Sequence, residues 1–192
     1  MITIIVAPLG AASIAANAFA VIAESICYMP GYGIGDATTT LVGQSIGGGR
    51  TRLTRQFAWT CSWLGIGVMT VLGGLMYGIA PFMMEIMTPD HEIISLGVTA
   101  LRTEAWAEPM YAASIVAYGA FVGAGDTLIP SFMNLGSMWG VRVVLAALLA
   151  PVLGLHGVWI AMAIELTFRG AIFLVRLKSN AWQQRIHKLN SL

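Results

Sequence analysis

Charge is what this sequence has least of. Only 10% of its 192 residues are Asp, Glu, Lys or Arg, against about 25% in an ordinary soluble domain. A compact body in water clothes itself in such side chains, so the soluble class is excluded. With 57% hydrophobic residues and a mean hydropathy of +0.78, most of the surface must meet hydrocarbon. Cysteine and histidine are nearly as scarce. Cys27 and Cys61 both fall in apolar segments without a spacing partner, and His91, His156 and His187 lie far apart. Neither a disulfide framework nor a zinc site is expected, and no cofactor. The net charge of +1 is uninformative by itself, and no nucleic-acid partner is expected.

What is present is a succession of long apolar runs. A spanning helix needs about 20 such residues. Residues 57–84 carry no charge at all, and residues 128–153 carry only Arg142. Expected spans cover residues 11–46, 53–80, 91–123, 129–151 and 157–178, and residues 2–6 are too short to cross and read as the end of a sixth. The expected fold is therefore all-α: a polytopic membrane helix bundle of five full spans and a partial one, forming a single lobe over residues 1–179. Residues 180–192 form a tail in which Trp182 and Ile186 share a helical face at the cytoplasmic interface.

Orientation follows from Lys and Arg in short loops. Arg50, Arg52 and Arg55 follow the first span, and Arg176, Lys178, Arg185 and Lys188 follow the last. Residues 81–92 and 151–157 contain no Lys or Arg. Alternation places those two loops outside and residues 47–55 and 123–130 in the cytoplasm. The amino end then starts near the outer face, and together with the half-length first segment this leads to the expectation of a longer parent protein. The membrane expected is the cytoplasmic one.

The pattern G-x-x-x-G-x-G before a charged residue occurs twice, in GQSIGGGR (residues 43–50) and GAFVGAGDTLIP (residues 119–130). Both fall at cytoplasmic span ends. Glycine there admits left-handed backbone that closes a helix. Gly119, Gly123, Gly125 and Asp126 are candidate hinge residues, with Asp126 and Thr127 able to cap the next helix and Pro130 suited to its first turn. A plain turn accounts for the same residues. Glycine pairs four apart at Gly31/Gly35, Gly74/Gly78 and Gly136/Gly140 fit close helix packing in lipid.

Ionisable side chains inside the spans are functional candidates by default, because a charge at the bilayer centre is costly. Glu104 and Glu108, four apart, share a helix face. In a helix starting near Asp90 they lie roughly 20 and 27 Å along it, close to mid-membrane. Two carboxylates there call for a proton or a cation. Pro109 frees the carbonyl of Ala105 beside them. The competing reading pairs Arg102 with one of the acids. Glu24, before an expected break at Pro30-Gly31, is either an ion or substrate contact or a structural partner of Arg142 or Arg169. Arg142 with Glu165, and Glu165 with Arg169 at i,i+4, read as structural pairs. Of the many aromatic and methionine side chains, Trp106, Met110 and Tyr111 lie beside the two acids and join the candidate ligand site.

These segments resemble a known family. GIGDATTTLVGQSIGGGR (residues 33–50) resembles the second helix of each half of the multidrug and toxic compound extrusion (MATE) transporters. Residues 108–149, EPMYAASIVAYGAFVGAGDTLIPSFMNLGSMWGVRVVLAALL, are similar to that family's tenth and eleventh helices. Residues 153–182, LGLHGVWIAMAIELTFRGAIFLVRLKSNAW, are similar to its twelfth. The resemblance implies one six-helix lobe, the carboxyl-terminal one, of a twelve-helix, two-lobe antiporter. Such a protein exports drugs or organic cations against proton or sodium, so the implied partners are the drug, membrane lipid and an amino-terminal lobe. Where sodium-coupled relatives carry their helix-ten acid, this sequence has Tyr111. Two alternatives remain at this stage: a flippase for a lipid-linked precursor on a related two-lobe bundle, and a structural membrane subunit without transport. An intramembrane enzyme would need a nucleophile such as Ser114 beside a histidine, and no histidine sits well inside a span.

Overall fold

The computed structural model describes residues 5–179 and Trp182. A 3-10 turn, Ala7–Leu9, precedes α1 (Ala11–Gly47), α2 (Thr51–Met87), α3 (His91–Ala105) and α4 (Glu108–Gly123). Then follow α5 (Leu128–Ser137), a π-helical segment (Met138–Val143) and α6 (Val144–Lys178). No strand occurs among the described residues. The chain is a helix bundle in which α1, α2 and the run from α5 through α6 are long and apolar enough to cross a membrane, and that last run is bent at Gly154 (φ 60°).

The helix ends follow local chemistry. Gly49 (φ 68°) stops α1, and the amides of Gly48, Gly49 and Arg50 fold back onto the carbonyls of Gln44, Ile46 and Ser45. Asp90 starts α3, its carboxylate accepting from the amides of Glu92 (2.9 Å) and Ile93 (3.4 Å). Pro109, in the first turn of α4, lacks the amide that would continue α3, so the helix breaks at Trp106–Ala107. At Pro30 no break forms. Helix α1 runs straight through it, since lipid leaves no water to satisfy a split helix and Gly31 lies closely against Met69 of α2.

Helix α4 occupies the centre, packed on α1, α2 and α6. Ala112, Ala113, Val116, Ala117 and Ala120 are completely buried, small enough to let three neighbours close in. One apolar cluster gathers Ala16, Ala20, Met84, Leu101 and Trp159, and a second gathers Val42, Ala58, Phe121 and Phe173. The outside is inverted relative to a water-soluble protein. Ile26, Val152 and Val175 are 68%, 78% and 71% exposed while Glu104, Glu108 and Glu165 are wholly inside. Hydrocarbon is the solvent that makes this arrangement favourable.

Residues 2–4 of the expected partial span lie outside the described residues, as does the tail apart from Trp182. That side chain departs from the interfacial position expected of it. It is buried, its ring 5.8 Å from Phe121, and its indole donates to the Leu177 carbonyl (3.2 Å).

Candidate ion- and ligand-binding site

Three acids converge where α1, α3, α4 and α6 meet. Glu24 is buried on α1, and Glu104 and Glu108 flank the α3–α4 break with no exposure at all. They are near enough for their charges to repel, with Arg142 also in range. All four oxygens of Glu104 and Glu108 lack a hydrogen-bond partner, although the Cys27 thiol lies alongside Glu108. Arg102 does not neutralise them. Its guanidinium points to α2, donating to the Tyr77 carbonyl (3.4 Å) and lying 5.2 Å above the Tyr77 ring. The Ala105 carbonyl and the Glu108 stem both face Gly73 of α2, 3.1 Å from where a Cβ would sit. A larger residue at 73 would push Glu108 away.

The arginines inside the bundle hold a different acid. Glu165 accepts two bonds from Arg142 (3.0 and 2.6 Å) and one from Ser137 (2.6 Å), with Arg169 at 3.3 Å. The π-helical segment carries Arg142, and its wider turn places that side chain opposite α6. Glu24 therefore pairs with neither arginine. It opens instead onto a cavity of about 570 Å³ that also presents Asn17, Tyr111 and Arg142.

Tyr111 separates that cavity from a second, of about 480 Å³, lined by Tyr32, Asp36, Tyr118, Asn134 and Arg169. Its hydroxyl meets that of Tyr32 (3.2 Å), its ring stands edge-on to Tyr28 at 6.0 Å, and Arg169 lies 5.6 Å over it. Of the aromatic and methionine candidates, Tyr111 alone faces these spaces. Trp106 is 80% exposed on the lipid side, edge-on to Tyr77 at 6.5 Å, since a residue two positions from each buried acid falls on the opposite side of the helix. Met110 is a packing residue whose carbonyl lies directly beneath Gly170 of α6.

The hinge candidates divide. Gly119 and Gly123 lie inside regular α4, and a methyl group on them would strike the carbonyl oxygens of Gly35 and Thr39 on α1. They form a seam, reinforced by Thr39 Oγ1 donating to the Gly119 carbonyl (2.9 Å). Gly125 (φ 74°) makes the turn. Asp126 is buried and ion-paired to Arg176 of α6. The residue before α5 is Thr127, which makes no side-chain cap, so the capping role expected of these two gives way to an interhelical tie. Tyr28, Tyr32 and Ser137 were not singled out from sequence; Tyr28 and Tyr32 share a face of α1, but their partner lies 79 residues away from Tyr32. Among the described residues no three His, Cys, Asp or Glu side chains gather as a metal cage.

Fold and apolar surface together define a polytopic helix bundle of an integral membrane protein. The MatE family model matches residues 1–148. The probable multidrug resistance protein NorM of Thermotoga maritima is 29% identical over 182 residues, covering 92% of this chain and 38% of the relative. Its namesake in Brucella suis is 30% identical over 175 residues, covering 88% and 37%. Among solved structures, the MATE transporter ClbM in complex with Rb+ superposes with a TM-score of 0.88 at 21% identity, over 98% of this chain and 44% of that one. The bent form of VcmN, from Vibrio cholerae, gives 0.86 at 16%, over 98% and 42%. These structures share the fold. The chain belongs to the multidrug and toxic compound extrusion family and spans about two fifths of the length of the curated relatives it matches.

Proposed function

We infer that this bundle is the carboxyl-terminal lobe of an antiporter in the cytoplasmic membrane, exporting drugs or organic cations in exchange for a proton or sodium. The observation that carries the inference is the pair Glu104 and Glu108, fully buried with no hydrogen-bond partner. Ionised carboxylates in that state are prohibitively costly, so each needs a proton or a cation. Taking one up and giving it away changes the energy of the packed state, and that difference biases two conformations of the lobe. Glu24, on the wall of the adjacent cavity, is the acid a cationic drug or coupling ion meets first, and Tyr111 lies between it and the second cavity. ClbM was solved in complex with Rb+, which keeps a monovalent cation in view.

A lipid-linked precursor would want cationic side chains available to its phosphates. Arg142 and Arg169 are both committed to Glu165, which disfavours the flippase alternative. The test is ethidium efflux from vesicles holding the parent transporter, driven first by a pH gradient and then by a sodium gradient. Glu108→Gln should abolish efflux under whichever gradient drives the wild type. Unchanged efflux would leave the lobe a structural role. The isolated 192-residue chain should not transport, since one lobe encloses only half of an alternating-access cavity.

A further inference from the structure

We propose that the lipid-side face around Trp106 holds one diacyl glycerophospholipid with an anionic headgroup, its phosphate on Arg102 and its two chains on either side of the indole. The role stands independently of the transport reading. Arg102 is an exposed cation within the expected span 91–123. Charges inside a bilayer ordinarily turn toward the bundle or meet a counter-charge, and this one turns outward. Glu104 and Glu108, its neighbours in sequence, point into the bundle with their oxygens unpartnered, and no described carboxylate pairs with Arg102. A proline fixes its position instead. Pro81, inside α2, has no amide to give the Tyr77 carbonyl four residues earlier. Arg102 Nε donates to that carbonyl (3.4 Å), with the guanidinium 5.2 Å above the Tyr77 ring. The bond engages a single N–H of a group rich in donors. The guanidinium therefore sits one turn below Pro81, where the apolar run ends in a loop carrying Glu85, Asp90 and Glu92. A long basic side chain at that depth reaches the phosphate layer, and a tyrosine beside it suits the interface.

Two apolar grooves descend from this level, with Trp106 as the ridge between them. One, of about 360 Å³, separates α2 from the α3–α4 break, and Thr70, Gly73, Gly74 and Tyr77 form its α2 wall at the three-and-four spacing of one helix face. Nothing lies within 4 Å of a would-be Cβ on Gly74, which leaves that wall hollow. The other, of about 440 Å³, lies between α3 and α6, where Ile160, Ala163, Ile164 and Thr167 repeat the spacing. Trp106 lines both grooves and is 80% exposed. From residue 77 to residue 70, and from residue 160 to residue 168, the helices run about 10–12 Å, most of the depth of one leaflet of a ~30 Å core. A diacyl lipid has the matching shape, one charged head above a forked tail. A bare hydrocarbon would leave Arg102 without an anion, and a single-chain amphiphile would leave one groove empty.

The test uses the 192-residue chain in dodecyl maltoside micelles, read by native mass spectrometry. It is titrated with dioleoyl phosphatidylglycerol, dioleoyl phosphatidylcholine or oleoyl lysophosphatidylglycerol. Dioleoyl phosphatidylglycerol should be retained about fivefold better than the phosphatidylcholine, and better than the lyso lipid, which fills one groove. Arg102→Gln should erase the headgroup preference and Arg102→Lys should keep most of it, while Arg52→Gln, at the opposite end of α2, should leave it unchanged. Circular dichroism establishes that each variant keeps its helices. Gly74→Leu has room for its side chain and fills one groove without touching Arg102. It should bring dioleoyl retention down to the lyso level, a result that stands even if Arg102→Gln does not fold. Equal retention of the two dioleoyl lipids by the wild type, an undiminished preference in folded Arg102→Gln, or a preference that follows Arg52 overturns the proposal. So does equal retention of the one-chain and two-chain phosphatidylglycerols, or full competition by glycerol 1-phosphate at lipid concentrations, which would mean a bare anion site.

Discussion

Replacing Gly119 by alanine puts a methyl group where α4 lies on the main chain of α1. The new carbon would run into the Gly35 carbonyl and come 3.1 Å from Thr39 Oγ1. Neither obstacle is the free end of a flexible side chain, so the helices must separate. Overpacking of this kind costs about 1–3 kcal/mol, and stretching the Thr39–Gly119 hydrogen bond adds about 1 kcal/mol. For a chain of this size about 2–4 °C of unfolding midpoint goes with each kcal/mol, so Gly119→Ala should melt about 5–15 °C below wild type. The assay is thermal unfolding of the detergent-solubilised chain by circular dichroism, with two other glycines for comparison. Gly74→Ala, on the open face of α2, should be neutral or gain up to about 1 kcal/mol of helix propensity. Gly125→Ala has room but a φ of 74° and should lose about 1–2 kcal/mol. A hinge at Gly119 predicts something else, since alanine is at ease in the helical backbone there and only motion would suffer. If Gly119→Ala melts together with Gly74→Ala, the seam between α1 and α4 is refuted.

Three further outcomes bear on the site. Glu165→Gln strips the carboxylate from Arg142 and Arg169 and should cost about 3–5 kcal/mol in the same melt, with much of the loss recovered when Arg142→Met is added. Recovery would fail if the two side chains were not partners. Glu104→Gln breaks no hydrogen bond and Glu108→Gln disturbs only the contact with the Cys27 thiol, so both should leave the melt within about 1 kcal/mol of wild type or above it; a loss of several kcal/mol in either would reveal a partner the structure does not contain. Trp106→Ala, on an 80% exposed side chain, should change neither the melt nor efflux by the parent transporter, and a loss of efflux would return Trp106 to the ligand site.

Much of the membrane architecture was legible before any coordinates. Hydropathy is a local quantity summed over about 20 residues, and so is the chemistry of a stop such as Gly48-Gly49 or a start such as Asp90. The pairing of Arg142 with Glu165 was also readable, since two opposite charges on consecutive spans have few other places to go in lipid. The burial of Glu24, Glu104 and Glu108 followed from the same cost. Adjacency in sequence misled at Trp106, which lies two residues from each acid and therefore on the opposite side of the helix. Residue type misled at Pro30, which lipid and the packing of Gly31 against Met69 keep helical.

Composition and order of residues by themselves settled that this chain is an all-helical bundle suited to hydrocarbon and which charges had to be hidden. Tertiary structure alone decided what each hidden group faces. Whether Gly119 is a hinge or a seam depends on the distance to Gly35, and whether Asp126 caps a helix or ties the turn after α4 to α6 depends on where Arg176 arrives. Tyr111 becomes the wall between two cavities because Tyr32 and Arg169, distant in sequence, reach it from α1 and α6. The physical reason is rotational. Period and hydropathy say that a helix forms and crosses, but its rotation about its own axis is set by the side chains of its neighbours, and those contacts exist only once the bundle has closed.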